Sequence, residues 1–144
     1  ANRAGAVYTF RREGNTWSQD AYIKASNAEA FDSFGSSISL TQDGKLLAVG
    51  AIEEDSFAFG IGGDEQSNIA DNSGAVYLYE KIDGNWSQLA YIKSSSPGVS
   101  DWFGAGVSIS ANGDTLAVGA QNEDGSGLSL GNNETFNAGA VYLY

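Results

Sequence analysis

Apolar and polar residues alternate with a period of two through most of this chain, in short runs separated by polar, glycine-containing stretches. That is the signature of half-buried β-strands, and helical spacing is nowhere demanded. Gly5-Ala6-Val7-Tyr8-Thr9-Phe10 mixes small, β-branched and aromatic residues and predicts a first strand. A polar turn, Arg11 to Asn15, leads to a second and more exposed strand over 17–24. Two further strands are expected near 35–40 and 45–51, then others over 74–79, 86–93, 103–109, 116–120 and 139–144. Asp43-Gly44 and Asn112-Gly113 stand between paired runs. Such dipeptides favour the φ > 0 turns that close two-residue hairpins.

The pattern repeats. Phe34-Gly35 with Leu47-Ala48-Val49-Gly50-Ala51 returns 69 residues later as Phe103-Gly104 with Leu116-Ala117-Val118-Gly119-Ala120. Gly5-Ala6-Val7-Tyr8 returns as Gly74-Ala75-Val76-Tyr77 and again as Gly139-Ala140-Val141-Tyr142. Trp17-Ser18-Gln19 returns as Trp86-Ser87-Gln88. A period of four locally connected antiparallel strands is what one propeller blade requires. A β-sandwich built from two duplicated halves is the alternative. The whole of 1–144 reads as one all-β repeat region. Residues 1–33 hold the last two strands of one blade, 34–93 a complete blade, and 94–144 the first three strands of the next.

About two repeats do not close a propeller. Either the segment belongs to a longer array, or copies assemble so that strands of one complete the blades of another. Ala1 to Gly5 occupies the same place in the repeat as Thr135 to Gly139, which favours the longer array. In the assembly reading, the duplicated Gly-Ala-Val-Tyr strand is an unpaired edge suited to strand addition.

Composition narrows the function classes. The 144 residues carry 18 acidic and 7 basic side chains, a net charge of −11. Such a surface repels phosphate backbones and anionic lipid, so neither nucleic acid nor a membrane is the expected partner. No apolar run is long enough for a membrane span, and no signal peptide stands within the segment. With no Cys and no His, a base-assisted nucleophile is unavailable. A carboxylate pair of the glycosidase kind is the remaining catalytic route, and loop acids in an acidic protein are more often solvated. The expectation is a protein that is not an enzyme.

The series Phe-Gly, Leu-Ala-Val-Gly-Ala, Gly-Ala-Val-Tyr resembles the FG-GAP repeat, the blade unit of integrin-α-like β-propellers. With its Trp-Ser-Gln strand it is most similar to the bacterial extracellular branch. The resemblance implies an extracellular or cell-surface scaffold for adhesion or protein–protein interaction. Partners would be another protein, or further repeats or chains of its own kind. A structural subunit of an extracellular assembly or filament is one alternative, and a carbohydrate-binding propeller is another. Calcium-binding members carry an acidic loop between the first two strands of a blade. Here that loop has shrunk to Thr41-Gln42-Asp43-Gly44 and Ser110-Ala111-Asn112-Gly113, too few carboxylates for a cation that takes six to eight oxygens.

Candidate Ca²⁺ ligands lie elsewhere. The long connection over 52–73 carries six acids and no base, and Glu53, Glu54, Asp55, Asp64 and Asp71 are the ones selected. The second connection offers Glu123, Asp124, Asn132, Asn133 and Asn137. Neither has the every-other-residue spacing of a dedicated calcium loop, and Asn or Asp beside Gly also forms ordinary turns. Among aromatics, Trp17 and Trp86, Tyr8 and Tyr77, and Tyr22 and Tyr91 recur at the blade period and fill structural slots. Carbohydrate stacking is the sharper reading of the same set. Trp102 has Ser33 as its counterpart, so the slot does not require it, and it is the candidate for contact with a partner.

Overall fold

The computed structural model describes residues 1–124 and 136–144. Asn132 and Asn133 of the second acidic connection lie outside the described residues. The elements are β1 (Val7–Glu13), β2 (Thr16–Ile23), β3 (Phe34–Leu40), β4 (Leu46–Ala51), β5 (Ala75–Ile82), β6 (Asn85–Ile92), β7 (Phe103–Ile109), β8 (Leu116–Ala120) and β9 (Ala140–Leu143). They form three antiparallel sheets in chain order: β1-β2, β3-β4-β5-β6 and β7-β8-β9. The fold is all-β, and its successive sheets are stacked as propeller blades are, without closing into a barrel.

Alternation along each strand sends side chains into two separate cores. Val7 and Ile23 of the first sheet meet Leu47, Val49, Tyr77, Tyr79 and Tyr91 of the second. Ala48, Val76 and Ile92, on the opposite face of the second sheet, meet Phe103, Val118 and Tyr142 of the third. Adjacent residues such as Val76 and Tyr77 thus serve different cores, as a period of two demands. The repeat also preserves irregularities. β1 and β2 shift register between Thr9 and Phe10, and β5 and β6 shift at the equivalent Leu78 and Tyr79.

The Phe-Gly motif is a bulge. Phe34 faces Ala51, yet the next paired residue is Ser37, opposite Gly50. Gly35 and Gly104 take φ of 93° and 91°, a region closed to other residues without strain. The bulge brings one sheet against the next. Phe103 N–H donates to Ser73 O at 3.0 Å, as Phe34 N–H donates to Ala4 O.

The turns that hold Asp43-Gly44 and Asn112-Gly113 are longer than the two residues expected, whereas β1–β2 and β5–β6 are joined by two. β3 ends at Leu40 and β4 begins at Leu46, and Gly44, but not Asp43, has positive φ. Side-chain oxygens close the turn instead. Leu46 N–H donates to Thr41 Oγ1 at 3.0 Å, and Asp43 Oδ1 accepts from Thr41 Oγ1 and from Lys45 N–H. Asp43 is held below the usual carboxylate range by the Thr41 hydroxyl first and the Lys45 amide second.

Candidate interaction surface

The connection from β4 to β5 is built on a buried ion pair. Glu54, three residues past β4, is 1% exposed, and Lys93, just past β6, is wholly enclosed. Lys93 Nζ stands 2.9 Å from Glu54 Oε2 and donates to Ser73 Oγ at 2.7 Å. The same carboxylate oxygen accepts from Ser56 N–H at 3.2 Å and Ser56 Oγ at 3.0 Å. Glu54 Oε1 accepts from Asn27 Nδ2 of the preceding loop at 2.9 Å. Tyr77 Oη donates to Asn27 Oδ1, and Tyr91 Oη meets Ser56 Oγ. Both carboxylate oxygens of Glu54 are hydrogen-bonded in addition to the ion pair, which is the condition for an ion pair to survive in a core. Burial lowers the pKa of Lys93, and Glu54 opposes that shift. Burial raises Tyr77 and Tyr91 above the ordinary phenol range, with Glu54 adding to both. Asp32, beside the same network, is raised to about 6, first by burial.

This anchor orders the chain beyond it. Residues 60–62 pair with the end of β6: Lys93 N–H donates to Gly60 O and Gly62 N–H to Tyr91 O, each at 2.8 Å. Ser56 and Ala58 point inward, and Phe57 and Phe59 therefore point out. They are 42% and 56% exposed, with ring centroids 4.9 Å apart at an interplanar angle of 77°. Ile61 and Ile69 are also exposed. Two large aromatic rings packed edge to face on an ordered backbone form an apolar patch of the kind proteins use for contact. Sequence reading passed over Phe57 and Phe59. The signal was the alternation Glu54-Asp55-Ser56-Phe57-Ala58-Phe59, a strand-like period inside a stretch read as loop.

The five acids singled out in this connection take separate places. Glu53 Oε2 accepts from Ser33 Oγ at 2.6 Å. Asp55 Oδ1 accepts from Asn72 N–H at 2.7 Å, and Asp64 Oδ1 from Gln66 N–H at 3.0 Å. Asp71 is exposed, and its backbone carbonyl accepts from Ser100 N–H. Glu54 alone is interior, neutralised by Lys93. No three carboxylates converge into a metal-sized cluster among the described residues. In the second connection, Asp124 Oδ1 accepts from Asn137 N–H at 2.8 Å, while Glu123 is buried.

Trp102 is half-buried at φ 57°, and its counterpart Ser33 shares that left-handed backbone. The repeated aromatics differ by position. Tyr77 is fully buried and Tyr8 is 54% exposed, because among the described residues the first sheet packs against a neighbour through one face. Trp86 is half-buried with Lys81 Nζ 5.6 Å from its ring, and Lys81 pairs with Asp20 of β2. Trp17 has no such cover and is exposed.

The family model described as FG-GAP repeat matches residues 17–79 and again residues 86–144. No curated protein matches the chain.

Proposed function

The chain belongs to the FG-GAP repeat family, and from that premise we propose that it is a non-enzymatic scaffold for adhesion or protein–protein interaction, working outside the cell or on its surface. FG-GAP repeats build β-propeller-type interaction scaffolds, and the family is generally non-enzymatic. No helix among the described residues is long and apolar enough to cross a membrane. The observation that carries the reading is the Phe57–Phe59 pair. Fully burying an exposed ring contributes roughly 1.5–3 kcal/mol; these two are about half exposed, so a partner surface recovers about half of that for each. The rigid backbone beneath them lowers the ordering cost of association.

The reading is tested on intact cells of the source organism. An antibody to the chain should label them without permeabilisation, and the immobilised chain should capture them. Phe57→Ser with Phe59→Ser should reduce capture severalfold while leaving the melting temperature unchanged. Labelling that requires permeabilisation, or capture indifferent to the double substitution, overturns it.

A further inference from the structure

Charge is divided between the two ends of the strands. Arg11, Arg12, Lys45 and Lys81 stand at the end where β1–β2, β3–β4 and β5–β6 turn. The other end carries the long connections, and its three bases are occupied. Lys93 is buried against Glu54, Lys24 Nζ donates to the Gly5 carbonyl, and the Arg3 guanidinium lies 5.9 Å from the centre of the Phe31 ring. The Phe57–Phe59 pair stands at this second end, in a connection of six acids and no base. Two backbone contacts set acids on either side of it. A Cβ on Gly63 would stand 2.7 Å from Ala58 Cβ and 3.3 Å from Phe59 N, so the exposed Asp64 follows a residue packed on the ring-bearing backbone. Ala70 N–H donates to Asp55 O at 2.9 Å, which brings the exposed Ile69 and Asp71 beside the residue two before Phe57. Neither Asp64 nor Asp71 is in an ion pair among the described residues.

These carboxylates are spread along the patch, and no three gather into a metal-sized cluster among the described residues. Separated charges with no base between them suit a partner whose own charges are separated, whereas a metal ion needs its oxygens converged. The turn end of a second copy is a poor match. Its bases share that end with Glu13, Asp43, Glu80, Asp83 and Asp114, Lys81 is already paired with Asp20, and two chains of net charge −11 repel. Resting on the reading of the Phe57–Phe59 pair as a contact surface, we propose that its partner is an extended segment of another protein in which basic and apolar side chains alternate. Phe57 and Phe59 occupy alternate positions of their own stretch, so their spacing matches that of alternate side chains in such a segment. The apolar side chains cover the two rings, and the basic ones reach Asp64 and Asp71. A guanidinium is also drawn to the face of a ring, as Arg3 is to Phe31 within this chain. The acidic end speeds the encounter and selects the sign of the partner, and the rings hold it.

The probes are two acetylated and amidated peptides, Ser-Arg-Leu-Arg-Phe-Arg-Leu-Arg-Ser and the same sequence with glutamate for every arginine. Binding is followed through the amide shifts of the isotope-labelled 144-residue chain. The arginine peptide should bind about tenfold or more tightly than the glutamate peptide, which like charge repels, with the shifts centred on residues 55–71. Phe57→Ser with Phe59→Ser should remove its binding, and Asp64→Asn with Asp71→Asn should weaken it severalfold. Raising the salt from about 0.05 to about 0.5 M shortens the screening length to about a third and should weaken it too. All four substituted side chains are exposed, and the melting temperature checks that each variant folds. No binding, equal binding of the two peptides, binding that survives loss of the rings, or shifts centred elsewhere overturns the proposal. So does self-association of the chain that is lost with the rings, because the partner is then a second copy. Capture of intact cells that needs the rings but ignores salt and the Asp64→Asn, Asp71→Asn pair overturns the cationic partner and leaves the adhesion reading standing. Arginine-peptide binding at the rings without any capture of cells sustains the proposal and overturns adhesion.

Discussion

Lys93 and Glu54, 39 residues apart in the chain, meet as an ion pair with neither side chain open to solvent. The pair joins the end of β6 to the connection that follows β4, so one sheet is tied to its own long loop. Lys93→Met leaves the Glu54 carboxylate uncompensated and should cost about 3–5 kcal/mol, read from urea unfolding. Adding Glu54→Gln should recover a large part of that loss. A double variant no more stable than Lys93→Met would show that the carboxylate is not where the cost arises.

Gly74 and Gly84 have nearly the same backbone, φ 80° and 85°, but different surroundings. A Cβ on Gly74 would overlap the Phe103 backbone, 2.6 Å from its nitrogen, whereas one on Gly84 would meet nothing within 4 Å. Gly84→Ala should cost only the left-handed strain, about 1–2 kcal/mol. Gly74→Ala should cost clearly more, because the second and third sheets must part. Thermal melts of the two variants isolate the close approach of neighbouring blades from backbone strain.

The strand pattern was legible because alternation and a copied motif are local signals. Phe34-Gly35 and Gly5-Ala6-Val7-Tyr8 announced both period and order. What the Phe-Gly glycine does was not legible, since a bulge at Gly35 depends on the strand it faces. The candidate surface was half legible. Acids marked the 52–73 connection as unusual, but Glu54 became a core residue through Lys93, which no local window contains. Phe57 and Phe59 were hidden because a strand-like alternation inside a loop has no partner strand in sequence to identify it.

Serines at alternate positions of β3 fasten the second sheet to the third. Ser37 Oγ donates to Gly104 O at 2.6 Å, and Ser39 Oγ accepts from Ile109 N–H at 3.0 Å. Ser39→Ala removes the acceptor and leaves that amide without its partner, at a cost of roughly 1–3 kcal/mol. Hydrogen exchange should report it as loss of protection at Ile109, with the amides of β1 and β2 unchanged.

The buried carboxyl of Glu123 sets a pH dependence of defined sign. Burial, then Asp101, raises its pKa from 4.5 to about 7, with Asp124 adding a smaller push and the Tyr142 hydroxyl opposing. The folded chain therefore holds this proton more tightly than the unfolded chain does. Its contribution to stability is greatest below pH 4.5, falls as pH rises towards 7, and is level above. Asp32, raised to about 6, and Asp101, also raised by burial, act in the same direction. Mounting negative charge on an acidic chain does so as well. The share that belongs to Glu123 is the difference between the parent and Glu123→Gln. Urea midpoints at pH 4.5, 6 and 8 should show the parent losing more stability across that range than the variant.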